Sequence, residues 1–318
     1  MNRFDFQDIN LIPRKCIVAS RSECCTSVSI GNRLFKLPVM PANMECVIND
    51  DIAFKLASNK YFYVHHRFDV DVIKFCRRMK DANLITSISI GVNEDAYTTL
   101  ENLRDANLMP DYLTIDIAHG HSIKMETILL WIHKNIPSPP YIIAGNVSTP
   151  EAVRDLESWG ANAIKVGIGP GSACTTYTAT GFGSRGAQAS VIKECALAVQ
   201  KPSTKIIADG GIKEPGDIAK ALVLGASMVM VGGMFSALTD SPGTTVSGTD
   251  GRLYKEFWGS ASAFQTGKVN RIEGTKKLLL MKNHGILDEM KHIEECLQSA
   301  ISYGGGKYLD CFKEVKYF

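Results

Sequence analysis

The stretch Tyr141-Ile-Ile-Ala-Gly-Asn-Val-Ser-Thr-Pro-Glu-Ala-Val-Arg-Asp-Leu-Glu-Ser-Trp-Gly-Ala-Asn-Ala-Ile-Lys-Val166 decides the fold class. It opens on a short apolar run at 141–144 and closes on another at 163–166. Between them, Ser148-Thr149-Pro150-Glu151 sets hydroxyls, a proline and an acidic residue at the head of an amphipathic segment over 149–159. Hydroxyl caps and an early proline begin helices. The reading is strand, helix, strand. Runs apolar on both faces belong to a parallel sheet covered by helices.

The same unit recurs outward in both directions. Apolar, β-rich runs at 37–42, 61–64, 85–90, 112–117, 205–208 and 228–231 join the two already quoted, which makes eight. Helical patterns at 69–82, 95–107, 122–135 and 214–224 fall between them. Eight such units predict an α/β fold closed as a (β/α)8 barrel rather than an open sheet. One barrel domain is expected over 1–318, with an N-terminal extension. The stretch 239–277, rich in Gly, Ser and Thr, breaks the rhythm and is long for a barrel loop; such loops are usually functional. Its Tyr254-Lys-Glu-Phe-Trp258 segment predicts a packed middle, and Leu287, Met290, Ile293, Leu297 and Ile301 mark one face of a helix over 288–303.

At 45% hydrophobic and 21% charged residues, the 318-residue chain has the composition of a globular protein. Lys and Arg number 35 against 33 Asp and Glu, a net charge of +2, so no general field attracts polyanions. The basic runs are no longer than Arg77-Arg78 and Lys276-Lys277, and no nucleic-acid partner is expected. The N-terminal Met1-Asn-Arg-Phe-Asp lacks the apolar run of a signal peptide, and no segment has the apolar length of a membrane span. Nine scattered cysteines form neither a disulfide framework nor a Cys-x-x-Cys pair. These features together predict a protein of the reducing cytoplasm.

Chemistry concentrates in Lys165-Val-Gly-Ile-Gly-Pro-Gly-Ser-Ala-Cys-Thr-Thr176. Gly167, Gly169 and Gly171 free the backbone as it leaves a strand, and Cys174 sits at the tip, at the strand end where barrel enzymes keep their active sites. Backbone carbonyls of such a turn suit a monovalent cation. A cysteine in a Gly-rich loop is usually only a small side chain; the glycine spacing and the two threonines argue for more. Ile206-Ile-Ala-Asp-Gly-Gly-Ile212 and Met228-Val-Met-Val-Gly-Gly-Met234 follow, the usual phosphate-binding loops of a barrel. Asp209 repels phosphate and suits a ribose diol instead.

In this order and spacing, Gly167-Ile-Gly-Pro-Gly-Ser-Ala-Cys-Thr-Thr176, Ala208-Asp-Gly-Gly211 and Met230-Val-Gly-Gly-Met-Phe235 resemble the IMP dehydrogenase/GMP reductase family. The likeness runs from Asp5-Phe-Gln-Asp8 to Ser302-Tyr-Gly-Gly305. It implies a (β/α)8 barrel, usually a homotetramer, whose cysteine attacks C2 of a purine nucleotide while a nicotinamide cofactor exchanges hydride with that carbon. Tyr61-Phe-Tyr-Val-His-His-Arg67 follows closely on 50–59, leaving no room for the paired regulatory insertion of the dehydrogenases. Nor does the chain carry their Arg-Tyr flap between Gly259 and Lys277. Asn270-Arg-Ile-Glu-Gly274 is similar instead to the reductase segment whose glutamate partners a threonine of the cysteine loop. The resemblance thus implies NADPH-dependent deamination of GMP to IMP and ammonia.

Roles follow from the resemblance residue by residue. Cys174 is the nucleophile, with Thr176 and Glu273 as proton relay. Asp209, Gly210, Gly211, Gly232 and Gly233 take the ribose phosphate; Gly259, Ser260, Ala261 and Ser262, with Arg271 and Gly274, take the base. Arg67, Asp116, Ile117, Ala118, Gly167 and Ile168 face NADPH, which Ser20 and Arg21 reach from a neighbouring subunit. Carbonyls of Gly169, Gly171 and Cys174 are the candidate K+ ligands. Tyr177 stands where the family usually has Arg or Lys, and Asn270 where a basic residue is common, with Arg271 one place displaced. His119 and His121 lack the further ligands of a metal site and read as loop residues beside the cofactor. The rival readings are an IMP dehydrogenase without its accessory domain and a silent nucleotide-binding barrel.

Overall fold

The computed structural model describes residues 3–267 and 270–318. Met1 and Asn2, at the head of the segment read for a leader, and Lys268 and Val269, inside the stretch read for a flap, lie outside the described residues. Among the described residues, seven strands form one parallel sheet. Its order is Val39–Pro41, Met228–Val231, Lys205–Asp209, Ala163–Val166, Tyr141–Val147, Tyr112–Asp116 and Ser87–Ile90. Helices Asp50–Ser58, Val72–Asp81, Glu94–Asp105, Ile123–Asn135, Pro150–Ser158, Gln188–Ala198 and Pro215–Val223 alternate with them. Thr149 caps Pro150–Ser158 through the Ala152 amide, as its sequence signature requires.

Side chains alternate across the sheet, and the two sets part into two cores. Ile88, Leu113, Ile142, Ile164, Ile206 and Val229 pack outward in the cluster that includes the helices. Met40, Tyr112, Ile143, Ala163, Ile207, Met228 and Met230 face inward, and their meeting in one cluster curls the sheet on itself. Further along the same inward parity come Asp116, four residues after Tyr112, and Lys165 and Asp209, two after Ala163 and Ile207, toward the strands' C-terminal ends.

The expected eighth strand over 61–64 forms no ladder, and among the described residues the sheet is a curled one of seven parallel strands. Tyr61, Phe62, Tyr63 and Val64 are all buried, Phe62 and Val64 in the inner cluster. Side chains there replace ladder bonds. The Tyr63 hydroxyl donates to Ile85 O at 2.8 Å and accepts from Ser87 N, while Ser89 Oγ donates to His65 O at 2.6 Å. His65 N donates to Ser87 O at 3.1 Å, tying the segment to the sheet edge.

The stretch 239–277 is not an irregular loop. It contributes to an antiparallel sheet of Thr245–Ser247, Leu253–Trp258 and Lys276–Leu280. Phe257 and Trp258 are buried, and the Trp258 ring meets Phe264 at 4.8 Å, so the expected packed middle is a strand. The last long helix, Ile286–Tyr303, buries Met290, Ile293, Leu297 and Ile301. No helix among the described residues is long and apolar enough to cross a membrane.

Candidate active site

The cysteine loop leaves Ala163–Val166 through Gly167, at φ +149°. A side chain there would collide with the Asp209 carbonyl, so only glycine lets the two strand ends sit this close. Gln188, fully buried, clamps the same ends by donating to Val166 O at 2.9 Å and Asp209 O at 3.2 Å. Ser148 Oγ accepts from the Ile168 amide at 3.0 Å, and Ser184 N donates to Ile168 O at 2.7 Å. The loop is held from three sides before it turns at Gly171–Cys174, where Cys174 N donates to Gly171 O.

Across from it runs the segment after Asn270. Thr175 N donates to Glu273 O and Thr275 N to Ala173 O, each at 2.9 Å. Glu273 N in turn donates to Ala261 O at 3.1 Å, and Gly274 bridges both Cys174 and Ser262. A Cβ on Gly274 would stand 2.9 Å from Ser262 N, which is why this three-layer stitch needs glycine there. The stitch places three side chains in line. Thr176 Oγ1 lies 3.2 Å from Cys174 Sγ and donates to Glu273 Oε2 at 2.6 Å. A thiol, a hydroxyl and a carboxylate in series form a path along which one proton moves toward Glu273.

These groups open into a cavity of about 550 Å³. Its wall includes Asp209, both glycine pairs 210–211 and 232–233, and Gly259, Ser260 and Ala261. It also includes Arg67, Asp116, Ile117, Ala118, Gly167 and Ile168, so the expected nucleotide and cofactor positions share one space. Gly210 and Gly211 adopt φ of +86° and +82°, which turns the backbone along the cavity wall.

Five of the expected site residues lie off this wall. Ser262 is buried and caps the helix Ala263–Thr266 by accepting from Gln265 N at 3.2 Å. Gly274 serves the stitch, and Arg271 adopts φ +59° beyond it. Ser20 caps the turn Arg21–Glu23, while Arg21 donates to Ser299 and stands over the Tyr303 ring. His119 and His121 are off the wall too, and His121 Nε2 lies 2.8 Å from Asp155. Beside Tyr177, the departure noted in sequence, the Arg185 guanidinium stands 6.0 Å above the ring, so a positive charge reaches the loop from another position.

Sequence reasoning left three polar groups of the wall without a role: buried Lys165, half-buried Asn146 and exposed Lys213. Lys165 Nζ lies 2.7 Å from Asp116 Oδ1 and 2.9 Å from Asp209 Oδ2. Asn146 Nδ2 donates to Gly167 O at 2.7 Å and Asp209 Oδ2 at 2.8 Å, whereas its buried Oδ1 has no protein partner among the described residues. Lys213 adds a cation beside the glycine pairs. Burial works against the charge on Asp116, but Lys165, with Arg67 behind it, outweighs burial and holds the carboxyl below the ordinary range. The same balance, through Asp116 and Asp209, holds the Lys165 ammonium above the ordinary lysine value.

The orphaned Asn146 oxygen beside Asp116 suits an amide donor such as a nicotinamide carboxamide. Gly169, Gly171 and Cys174 offer neutral carbonyls in one turn with no carboxylate among them, a donor set for a monovalent ion rather than a divalent one.

The model of the family described as "IMP dehydrogenase / GMP reductase domain" matches residues 3–309. A protein named GMP reductase from Mesoplasma florum is 50% identical over 317 residues, covering 100% of this chain and 98% of its own. Proteins of the same name from Oceanobacillus iheyensis and Bacillus licheniformis are 52% and 51% identical, each over 99% of this chain and 95% of theirs.

Proposed function

Because the chain belongs to the IMP dehydrogenase/GMP reductase family, we propose that it deaminates GMP reductively to IMP and ammonia, with NADPH as reductant. The single observation that carries this reading is the Cys174–Thr176–Glu273 series inside the shared cavity. A dehydrogenase must activate water, but a reductase must protonate a departing amine, and a carboxylic acid relayed through a hydroxyl does that.

In this reading Cys174, as thiolate, adds to C2 of guanine. Glu273 and Thr176 deliver the proton that lets ammonia leave, and C2 remains bonded to sulfur as a thioimidate. Bound NADPH supplies the hydride to C2. The C2–S bond then breaks, sulfur keeps the electron pair, and IMP departs. Asp209 accepts from the ribose hydroxyls, and Gly210, Gly211, Gly232, Gly233 and Lys213 line the phosphate side. Gly259, Ser260 and Ala261 edge the base. Asp116, Asn146 and Arg67 would hold the nicotinamide end, with Ser20 and Arg21 reaching the cofactor of a neighbouring subunit in a homotetramer. A K+ ion on the Gly169, Gly171 and Cys174 carbonyls would stiffen the loop and enters no step. The proposal also reads 61–64 as the wall that closes a (β/α)8 barrel, one domain, in a cytoplasmic protein.

The test is the absorbance of reduced cofactor with GMP present, together with ammonia release. Equimolar loss of NADPH and appearance of ammonia is the expected result. Cys174→Ala should abolish turnover while GMP still binds; turnover by that variant, or NADH formation from IMP and NAD by the wild type, overturns the reading.

A further inference from the structure

Lys165 is the least exposed charge in the cavity: its side chain is 3% accessible, against 18% for both Asp116 and Asp209. It belongs to the strand between theirs, and the register explains how it reaches both. Asp116 pairs with Gly145 and Gly145 with Lys165, so Gly145 is the one residue that separates the ammonium from Asp116. A Cβ at Gly145 would stand 2.6 Å from Lys165 Cβ, and the glycine leaves the path clear. On the other side Lys165 pairs with Ile207, two residues before Asp209.

An ammonium has three donors. Lys165 directs them to Asp116 Oδ1, Asp209 Oδ2 and Met230 Sδ, the last at 3.7 Å. None remains for a ligand. The two carboxylates share one neutralising charge, so the three groups carry a net charge of about −1 and neither carboxylate is fully compensated.

We propose that Lys165 is a positioning residue that couples the two halves of the cavity, acting on nucleotide and cofactor only through Asp209 and Asp116. The inference rests on the functional reading above, which assigns Asp209 to the ribose and Asp116 to the cofactor. While Asp116 holds part of the ammonium's charge, Asp209 keeps more of its own and is the better acceptor for ribose hydroxyls. Removing the charge on Asp116 gives Lys165 wholly to Asp209 and weakens that acceptor. The cofactor-side carboxylate therefore tunes nucleotide affinity with no cofactor bound.

The experiment is calorimetric titration of GMP alone into the wild type, Asp116→Asn, Lys165→Met and the double variant. Asp116→Asn is nearly isosteric, and it should weaken GMP binding about five-fold or more, the size of an ordinary coupling between sites. In the Lys165→Met background the same change should have no further effect. A contact role for Asp116, or a general structural one, would leave the effect of Asp116→Asn on GMP the same in both backgrounds, which overturns the inference. Should Lys165→Met not fold, Asp116→Asn decides alone: unchanged GMP affinity overturns the coupling. If the wild type binds neither GMP nor NADPH, the functional reading itself fails, and that outcome is seen before any variant is compared.

Discussion

Replacing Thr176 with Val keeps the shape of a β-branched side chain and removes only the hydroxyl. That hydroxyl has one proton, and at 2.6 Å it goes to Glu273, so toward Cys174, 3.2 Å away, the oxygen serves as acceptor. The substitution breaks the series in the middle while both ends remain. General acid catalysis contributes about 10²- to 10⁴-fold. Loss of the relay should therefore lower kcat by that factor, about 3–5 kcal/mol of transition-state stabilisation. Stability should move far less. The lost hydrogen bond to a carboxylate contributes about 1.5–3 kcal/mol at most, and Glu273, which is half-buried, regains water. Single-turnover kinetics of cofactor oxidation with GMP, beside thermal unfolding, separates the two. Glu273→Gln should cost a similar factor, and the double variant little more than either, because groups that act as one unit are not additive. A kcat within about three-fold of wild type, or losses that simply multiply, refutes the series as a relay.

Three further outcomes follow from the packing. Gly167→Ala meets both a positive φ and the Asp209 carbonyl, and should cost about 3 kcal/mol or more in urea unfolding. Iodoacetamide should label Cys16 and Cys174 in the folded protein, with GMP protecting only Cys174, as read by mass spectrometry of the digest. Cys46, Cys76 and Cys195 should stay unlabelled, since burial pushes their thiols up to about 11, 12 and 12. Glu289 is buried, and bonds from Lys282 and His284 overcome that burial to lower its pKa. Its folded-state pKa is depressed, so its contribution to stability is complete above the unfolded value of about 4.3 and disappears as pH falls through the folded one. The stability gap between the wild type and Glu289→Gln should close over that window in denaturant titrations.

The strands could be read from sequence where burial on both faces left unbroken apolar runs, as at 228–231, which matches Met228–Val231. The same signal misled at 61–64: those four residues are as buried as any strand, but the bonds that hold them come from Tyr63 and Ser89 side chains, and composition does not distinguish the two. The Gly/Ser/Thr content of 239–277 suggested a loop, yet Leu253–Trp258 pairs on both edges, and that pairing is decided by partners far along the chain. Helix Gln188–Ala198 went unread because Gln188 through Ile192 are buried all round and give no amphipathic stripe.

The site divides along the same line. Glycines that must adopt positive φ, with a cysteine between them, are written locally, and Cys174, Thr176 and Glu273 come together as their match to the family pattern implied. Ser262 shows the limit: its hydroxyl was read toward the base, but a serine at the head of four helical residues is an N-cap, and the backbone amide reaches it first. Lys165 shows the converse. It stood in the quoted motif without a role because nothing adjacent in sequence engages it; its partners lie on other strands, Asp209 on the next one and Asp116 two away, across Gly145. Parity would have found it. Counting by two from the inward residues Tyr112, Ala163 and Ile207 lands on Asp116, Lys165 and Asp209, two acids and one base inside a sheet that curls on itself. Charges of opposite sign crowded on the inner face at the C-terminal edge pair with one another, because the buried Lys165 ammonium has little water to turn to. In such a sheet the inward parity of each strand, carried past its last inward apolar side chain to the strand's C-terminal end, is the sequence-level signal for which charges will be found together.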